Sequence, residues 1–168
     1  MEPNLVETKN KKLHLEVSGL GGWLVLVQIG LIFTTINAIL QLINTSIPSL
    51  SNETWTYLTS KQSLQYHPLW GVLLIFETIV NALFFILSIY VLIAFYQKKA
   101  NVPKLMINYY IASFLLGLVD LALIYQIPLS RELDEGASFR ATIRSFITCL
   151  IWIPYFLNSQ RVKNTFLK

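Results

Sequence analysis

The sequence predicts an all-α membrane protein, a four-helix transmembrane bundle with both termini in the cytoplasm. Hydrophobic residues make up 54% of the 168 residues, and only 13% are charged, about half the charged share of an ordinary soluble domain. Four apolar stretches are long enough to cross a bilayer as helices. Lysine and arginine collect on one side of these stretches, which is typical of membrane topology.

The predicted spans cover residues 23–43, 69–96, 105–127 and 138–157, so residues 1–168 form a single membrane domain. The longest connection, residues 44–68, is rich in Ser, Thr and Asn and contains the helix breakers Pro48 and Pro68. Its aromatic residues, Trp55 among them, could return to the interface on a short surface helix.

Span one carries its polar and small residues on one side. Trp23 stands where an interfacial anchor belongs. The spacing of four, three and four residues places the polar and small positions on one helical face. Such a face on a membrane helix predicts contact with other helices rather than with lipid. The positions are Gly30, Thr34, Asn37 and Gln41.

Spans two and three each contain an acidic residue. Glu77 lies in span two, with Asn81 one turn further along. Asp120 lies in span three, and Ser113 and Gly117 share its face. The small residues on that face predict close packing against a neighbouring helix.

Span four begins with two arginines one turn apart, Arg140 and Arg144, and continues as an apolar stretch to Leu157. A charge near the middle of a bilayer costs at least about 2.5–3.5 kcal/mol on insertion scales. The sequence therefore predicts partners for both arginines on the earlier helices.

The distribution of basic residues fixes the predicted orientation. The amino-terminus, the second loop and the carboxy-terminal tail each hold three Lys or Arg residues, whereas the first and third loops hold one each, Lys61 and Arg131. Cytoplasmic segments carry the excess of such residues. Both termini are therefore predicted inside, and loop 44–68 outside.

With this orientation, the polar residues of all four spans fall at similar depths. At about 1.5 Å per residue, Asn37, Glu77, Asp120 and Arg144 lie roughly 9–12 Å below the outer surface, and Arg140 lies one turn nearer to it. An arginine fork can hold two carboxylates, which suggests a charge-compensated network. Two interpretations stay open: a structural clamp, or a polar cavity open to the outside that holds a ligand or a proton. The network comprises Asn37, Glu77, Asn81, Asp120, Arg140 and Arg144.

Catalytic templates are missing from the sequence. It has no GxSxG, HExxH or P-loop motif, and His14 and His67 are predicted on opposite sides of the membrane. Cys149, within span four, is the one cysteine, so no disulfide framework is predicted. No enzyme activity, metal or cofactor is expected. The net charge of +4 is explained by topology rather than by nucleic-acid binding.

Two functional hypotheses follow from these features. The first is a non-enzymatic accessory or interaction module whose partners are the lipid bilayer and a membrane protein or a second copy of the chain. The second is a small transporter or solute-binding component that uses the polar layer. Four helices are few for alternating access, so the second hypothesis implies a homo-oligomer.

Two stretches of the chain together resemble a known family. They are Gly19-Leu-Gly-Gly-Trp-Leu24 with Gln28-Ile-Gly-Leu31 at the start, and residues 151–166 at the end, with Trp152, Pro154, Arg161 and Thr165. Both are similar to the YdgK-like bacterial inner-membrane proteins, a family of small four-helix proteins of unknown function. The resemblance implies a four-helix fold and a bacterial inner-membrane location, and it defines no catalytic residue.

Overall fold

A computed structural model describes residues 18–167, in which all the regular structure is helical. The predicted all-α class is confirmed. The amino-terminal lysines at positions 9, 11 and 12 lie outside the described residues. In chain order the helices are α1 (Trp23–Ser49), α2 (Asn52–Thr59), α3 (Trp70–Tyr96), α4 (Val102–Gln126), α5 (Pro128–Asp134), α6 (Ala137–Asn158) and α7 (Gln160–Thr165).

Three of these helices are long and apolar enough to cross a membrane. Helices α1 and α3 have 27 residues each and α4 has 25, so each exceeds the roughly 30 Å of the hydrocarbon core. Among residues 18–167, these are the three that combine the required length with the required composition. Helix α6 has 22 residues and packs along α4, but Arg140 and Arg144 interrupt its apolar surface, and Pro154 lies inside the helix.

The first long helix continues beyond the predicted end at residue 43. Residues Leu42–Ser46 form a π-helical turn, and Ile47–Ser49 complete the helix. The polar sequence here reads as a loop, but Ser46 is buried and its Oγ accepts a hydrogen bond from Asn81 Nδ2 at 3.2 Å. This hydrogen bond to α3 thus explains why the polar residues at the end of α1 stay helical. Loop 44–68 is correspondingly shorter and contains α2, the predicted surface helix.

One end of the molecule, here called the closed end, is filled by a large hydrophobic cluster. It brings together the start of α1, the end of α3, the start of α4 and the end of α6 with α7. Trp23 and Trp152 meet edge to face there, with 6.4 Å between ring centroids. The buried members include Leu24, Val27, Leu31, Val91, Phe95, Val102, Met106, Tyr109, Phe156, Val162 and Phe166.

The opposite end, here called the open end, has a smaller cluster between the start of α3 and the end of α4. Trp70, Leu73 and Ile124 are buried in it, and Trp55 of α2 packs against it. A Cβ placed on Gly71 would lie 3.5 Å from the Trp55 ring, so α2 folds back closely onto α3. Helix α2 therefore covers the outside of this cluster.

A set of contacts at the closed end, here called the terminal clasp, joins segments 18–22 and 161–165. Gly19 N donates to Thr165 Oγ1 at 2.9 Å, and Arg161 Nη1 donates to the Ser18 carbonyl at 3.2 Å. Gly22 has φ +61°, and a Cβ there would lie 3.3 Å from Arg161 Nε. Glycine permits both this backbone angle and the close approach. The two ends of the described chain are thus held together.

We expect Thr165→Val to weaken the terminal clasp. Thr165 is buried, and valine has the same shape without the hydroxyl, so the Gly19 amide loses its acceptor. Leaving such a group unsatisfied costs about 1–3 kcal/mol. Thermal unfolding of the purified protein should show a lower melting temperature. Thr165→Ser, which keeps the hydroxyl, is the matched control, and equal melting temperatures for wild type and Thr165→Val would contradict the role assigned to this bond.

Candidate solute-binding cavity

A cavity of about 630 Å³ lies between α1, α3 and α4 on the side of the open end. Along α1 it extends from Thr34 to Thr45, a length of about 16 Å at 1.5 Å per residue. Phe84 and Ser113 line its deep part, and Asp134 and Ser138 line it where α5 meets α6. The cavity therefore occupies the open-end half of the bundle, above the closed-end cluster.

The polar stripe of α1 lines this cavity. Thr34, Asn37 and Gln41 all face it, as the spacing predicts for one helical side. Gly30 of the same stripe does not line it, and beyond its own stretch of helix no atom of residues 18–167 lies within 4 Å of a Cβ built there. Because Thr34, Asn37 and Gln41 are also exposed, the cavity is open rather than sealed.

Helices α3 and α4 contribute the acidic residues. Glu77 and Asn81 line the cavity from α3, and Asp120 lines it from α4 together with Ser113. Asn81 is held in place by its hydrogen bond to Ser46. Asp120 is half-buried, and its Oδ1 atom is buried with no hydrogen-bond partner in the described part of the chain. The cavity thus contains a carboxyl oxygen that the described protein leaves unsatisfied.

A third acidic residue, Asp134, enters from the short helix α5, which lies in the predicted third loop between spans three and four. Its carboxylate accepts hydrogen bonds from Ser138 N at 3.0 Å and Ser138 Oγ at 2.6 Å, at the start of α6. A negative charge is favourable at that helix end. The segment Pro128–Ser138 shows no helical spacing of polar residues that would indicate a face turned towards the cavity. The sequence pattern therefore does not mark Asp134 or Ser130 as cavity-lining residues.

The two arginines lie elsewhere, and the predicted Glu/Asp/Arg network does not form. Arg140 and Arg144 are exposed, and among residues 18–167 no ion pair joins either one to a carboxylate. The buried side of α6 passes through Thr142 and Cys149, which contact α4 through Gly117 and Tyr110. Both arginines are two positions from Thr142, about 200° around the helix. Although the arginines lie at a depth similar to that of Glu77 and Asp120, they therefore point away from these carboxyl groups.

As a result, the charged side chains that line the cavity are all acidic. Among residues 18–167, its lining includes the carboxyl groups of Glu77, Asp120 and Asp134 and no Lys, Arg or His side chain. The remaining polar groups are hydroxyls and amides, and Trp70, Leu74 and other apolar side chains fill the rest. In the described part of the chain, no three Asp, Glu, His or Cys side chains are grouped closely enough to bind one metal ion. These groups complement a positively charged solute with an apolar body.

Comparison with known proteins gives one family, described as "Protein of unknown function (DUF2569)", which matches residues 17–167. The chain belongs to the DUF2569 family. The match includes both halves of the terminal clasp, Gly19–Gly22 and Arg161–Thr165, and all three cavity acids. The two stretches that carry the resemblance to the YdgK-like proteins are therefore neighbours in this DUF2569 fold, and the resemblance is confirmed.

One curated relative of this DUF2569 protein is "Inner membrane protein YdgK" of Escherichia coli (strain K12). The two are 28% identical over 148 residues, which are 88% of this chain and 93% of the relative. The similarity thus extends over nearly the whole of both proteins. No solved structure matches the chain.

Proposed function

We propose that this DUF2569 protein is a non-enzymatic membrane protein that binds a small organic cation, one with an ammonium group, in the cavity between α1, α3 and α4. The single observation that carries the proposal is Asp120, which lines the cavity with a buried Oδ1 that no residue of 18–167 hydrogen-bonds, and the lining drawn from those same residues has no basic side chain. A charged group within the membrane is costly without a partner. An ammonium group would provide that partner.

The dimensions and lining of the cavity support a solute larger than an ion. Its volume of about 630 Å³ is within the range of about 300–1,000 Å³ for small-molecule pockets. Glu77 and Asp120 offer charge-assisted hydrogen bonds, and Asn37 and Asn81 offer neutral ones. Trp70 and Phe84 offer apolar and aromatic contact for the solute's carbon atoms.

The proposed orientation has both termini in the cytoplasm of a bacterial inner membrane, with α6 as the fourth span. The name of the relative YdgK supports the location, and the basic residues support the orientation. Lys98 and Lys99 follow α3 at the closed end, whereas the two connections at the open end hold one basic residue each, Lys61 and Arg131. The cavity would then open to the outside of the cell.

The alternative, an accessory or interaction module without a solute, makes no use of the acidic cavity. For transport, as opposed to binding, the chain would act as a homo-oligomer, because four helices are few for alternating access. Neither alternative involves nucleic acid, since the basic residues are explained by topology. The cavity therefore favours solute binding over a purely structural role.

The proposal is tested by a thermal-shift screen of the purified protein with linear alkyl amines and diamines. The neutral alcohols of the same chain length serve as matched probes. We expect amines, and not alcohols, to raise the melting temperature, since only the amines supply a cationic partner. Asp120→Asn should remove the shift, and Glu132→Gln, an exposed acid outside the cavity, should retain it. Equal shifts for amines and alcohols, or an unchanged shift in Asp120→Asn, would overturn the proposal.

A further inference from the structure

Arg140 and Arg144 form an exposed basic pair on α6 that the cavity does not use. They are one helical turn apart, so their side chains lie on the same face. Arg140 Nη1 donates one hydrogen bond, to the Glu135 carbonyl at 3.0 Å. Neither guanidinium forms an ion pair with a carboxylate within residues 18–167. Most of the donors on this pair are therefore available to a ligand.

The surroundings of the pair are apolar. Phe139, Ile143 and Ile147 are exposed beside the two arginines on α6. Exposed apolar side chains on a membrane helix face lipid tails. With α6 placed across the membrane as proposed above, the pair stands on a lipid-facing surface. A soluble anion would not reach such a surface as readily as a lipid does.

The depth of the pair matches a lipid headgroup. Arg140 and Arg144 lie about 5 and 10 Å from the start of α6 at 1.5 Å per residue. Side chains on a helix lean towards its amino-terminus, and with α6 across the membrane as proposed above, the amino-terminus at Ala137 is the end at the membrane surface. Long arginine side chains can therefore reach up to the phosphate level while their stems remain among lipid tails.

From this geometry we infer that Arg140 and Arg144 bind the phosphate of an anionic phospholipid in the leaflet at the open end. The planar guanidinium fork matches phosphate oxygens in a bidentate manner, and two forks one turn apart hold one headgroup from two sides. The inference rests on the proposed placement of α6 and not on the solute. Lipid binding and amine binding can therefore fail independently.

The test is native mass spectrometry of the full chain in detergent with an equal mixture of phosphatidylglycerol and phosphatidylcholine. Wild-type protein should retain phosphatidylglycerol preferentially. The double variant Arg140→Gln/Arg144→Gln should lose about tenfold or more in relative affinity, the equivalent of one charge-assisted contact. Lys61→Gln, which removes one exposed charge from the same end, should bind like wild type. Arg140→Lys/Arg144→Lys should retain part of the preference, because it keeps the charge and loses the fork.

Three outcomes would overturn the inference. The first is an equal preference for phosphatidylglycerol in wild type and in the folded double glutamine variant. The second is full displacement of the lipid by glycerol phosphate, which would make the pair a site for free phosphate. The third is a dimer that dissociates only in the double variant, which would assign the arginines to a second copy of the chain. A melting temperature for the double glutamine variant near that of wild type verifies that the substituted helix still folds.

Discussion

Replacing Phe95 with alanine is expected to lower the free energy of unfolding by about 3–5 kcal/mol, as for other large aromatic residues removed from a packed core. Phe95 is fully buried at the closed end, and its ring meets that of Phe166 edge to face with 5.2 Å between centroids. It thereby joins the end of α3 to the segment that follows α7. Reversible unfolding in mixed micelles measures the loss.

Phe33→Ala is the matched control for this substitution. Phe33 is 62% exposed on α1, where a membrane helix presents its side chain to lipid, so its loss leaves no protein cavity. The two alanine variants should differ by several-fold in their effect on unfolding. A similar small effect for both would contradict the assignment of the closed-end cluster as the main core of the bundle.

Removing the charge of Asp120 is expected to stabilise the solute-free protein while abolishing amine binding. A carboxylate at the middle of a membrane costs about 2.5–3.5 kcal/mol without a partner, which is an upper bound for Asp120 in its open cavity, and within residues 18–167 its buried Oδ1 has no partner. We therefore expect Asp120→Asn to raise the free energy of unfolding by about 1–3 kcal/mol. Such a gain at the expense of binding is typical of residues kept for function.

Asn81→Leu, a substitution on α3 in the same cavity, provides the contrast. Asn81 donates to the buried Ser46 hydroxyl across the π-helical turn, so its loss should cost about 1 kcal/mol. Opposite signs for the two substitutions would separate a group held for binding from one held for structure. A loss of stability in Asp120→Asn would instead assign the carboxyl to a structural clamp.

The sequence allowed the polar sides of α1, α3 and α4 to be predicted because helical periodicity acts on each helix separately. Thr34, Asn37 and Gln41 on α1 share a face at any helix packing. The same holds for Glu77 with Asn81 and for Ser113 with Asp120. Counting residues from the predicted helix ends then places these polar faces at similar depths in the membrane. That is why four of the six predicted network residues line the cavity.

Pairing of the arginines could not be predicted from depth alone. Whether Arg144 meets a carboxylate depends on the rotation of α6 about its axis, which the contacts of Thr142 and Cys149 with α4 determine. A pattern was available: Thr142, Cys149 and Phe156 are spaced seven residues apart and are the buried positions of α6. Counting from these three positions would have placed both arginines on the face of α6 that points away from α4.

Long-range contacts account for the other differences. Residues 44–49 are polar enough to read as a loop, and they stay helical because Ser46 pairs with Asn81, 35 residues away. Asp134 reaches the cavity because α5 packs at the end of α4, which no local pattern indicates. The terminal clasp joins Gly19 to Thr165 over 146 residues. Each of these depends on tertiary packing rather than on local propensity.

Calorimetric titration of the purified protein with a linear alkyl diamine, beside the diol of equal length, tests cation binding by the cavity most directly. We predict a saturable heat for the diamine with wild-type protein and with Glu132→Gln. We predict none for the diol, and none for the diamine with Asp120→Asn. Saturable binding of the diamine that is unchanged in Asp120→Asn, or equal binding of the diol, would contradict the proposed role of the acidic cavity.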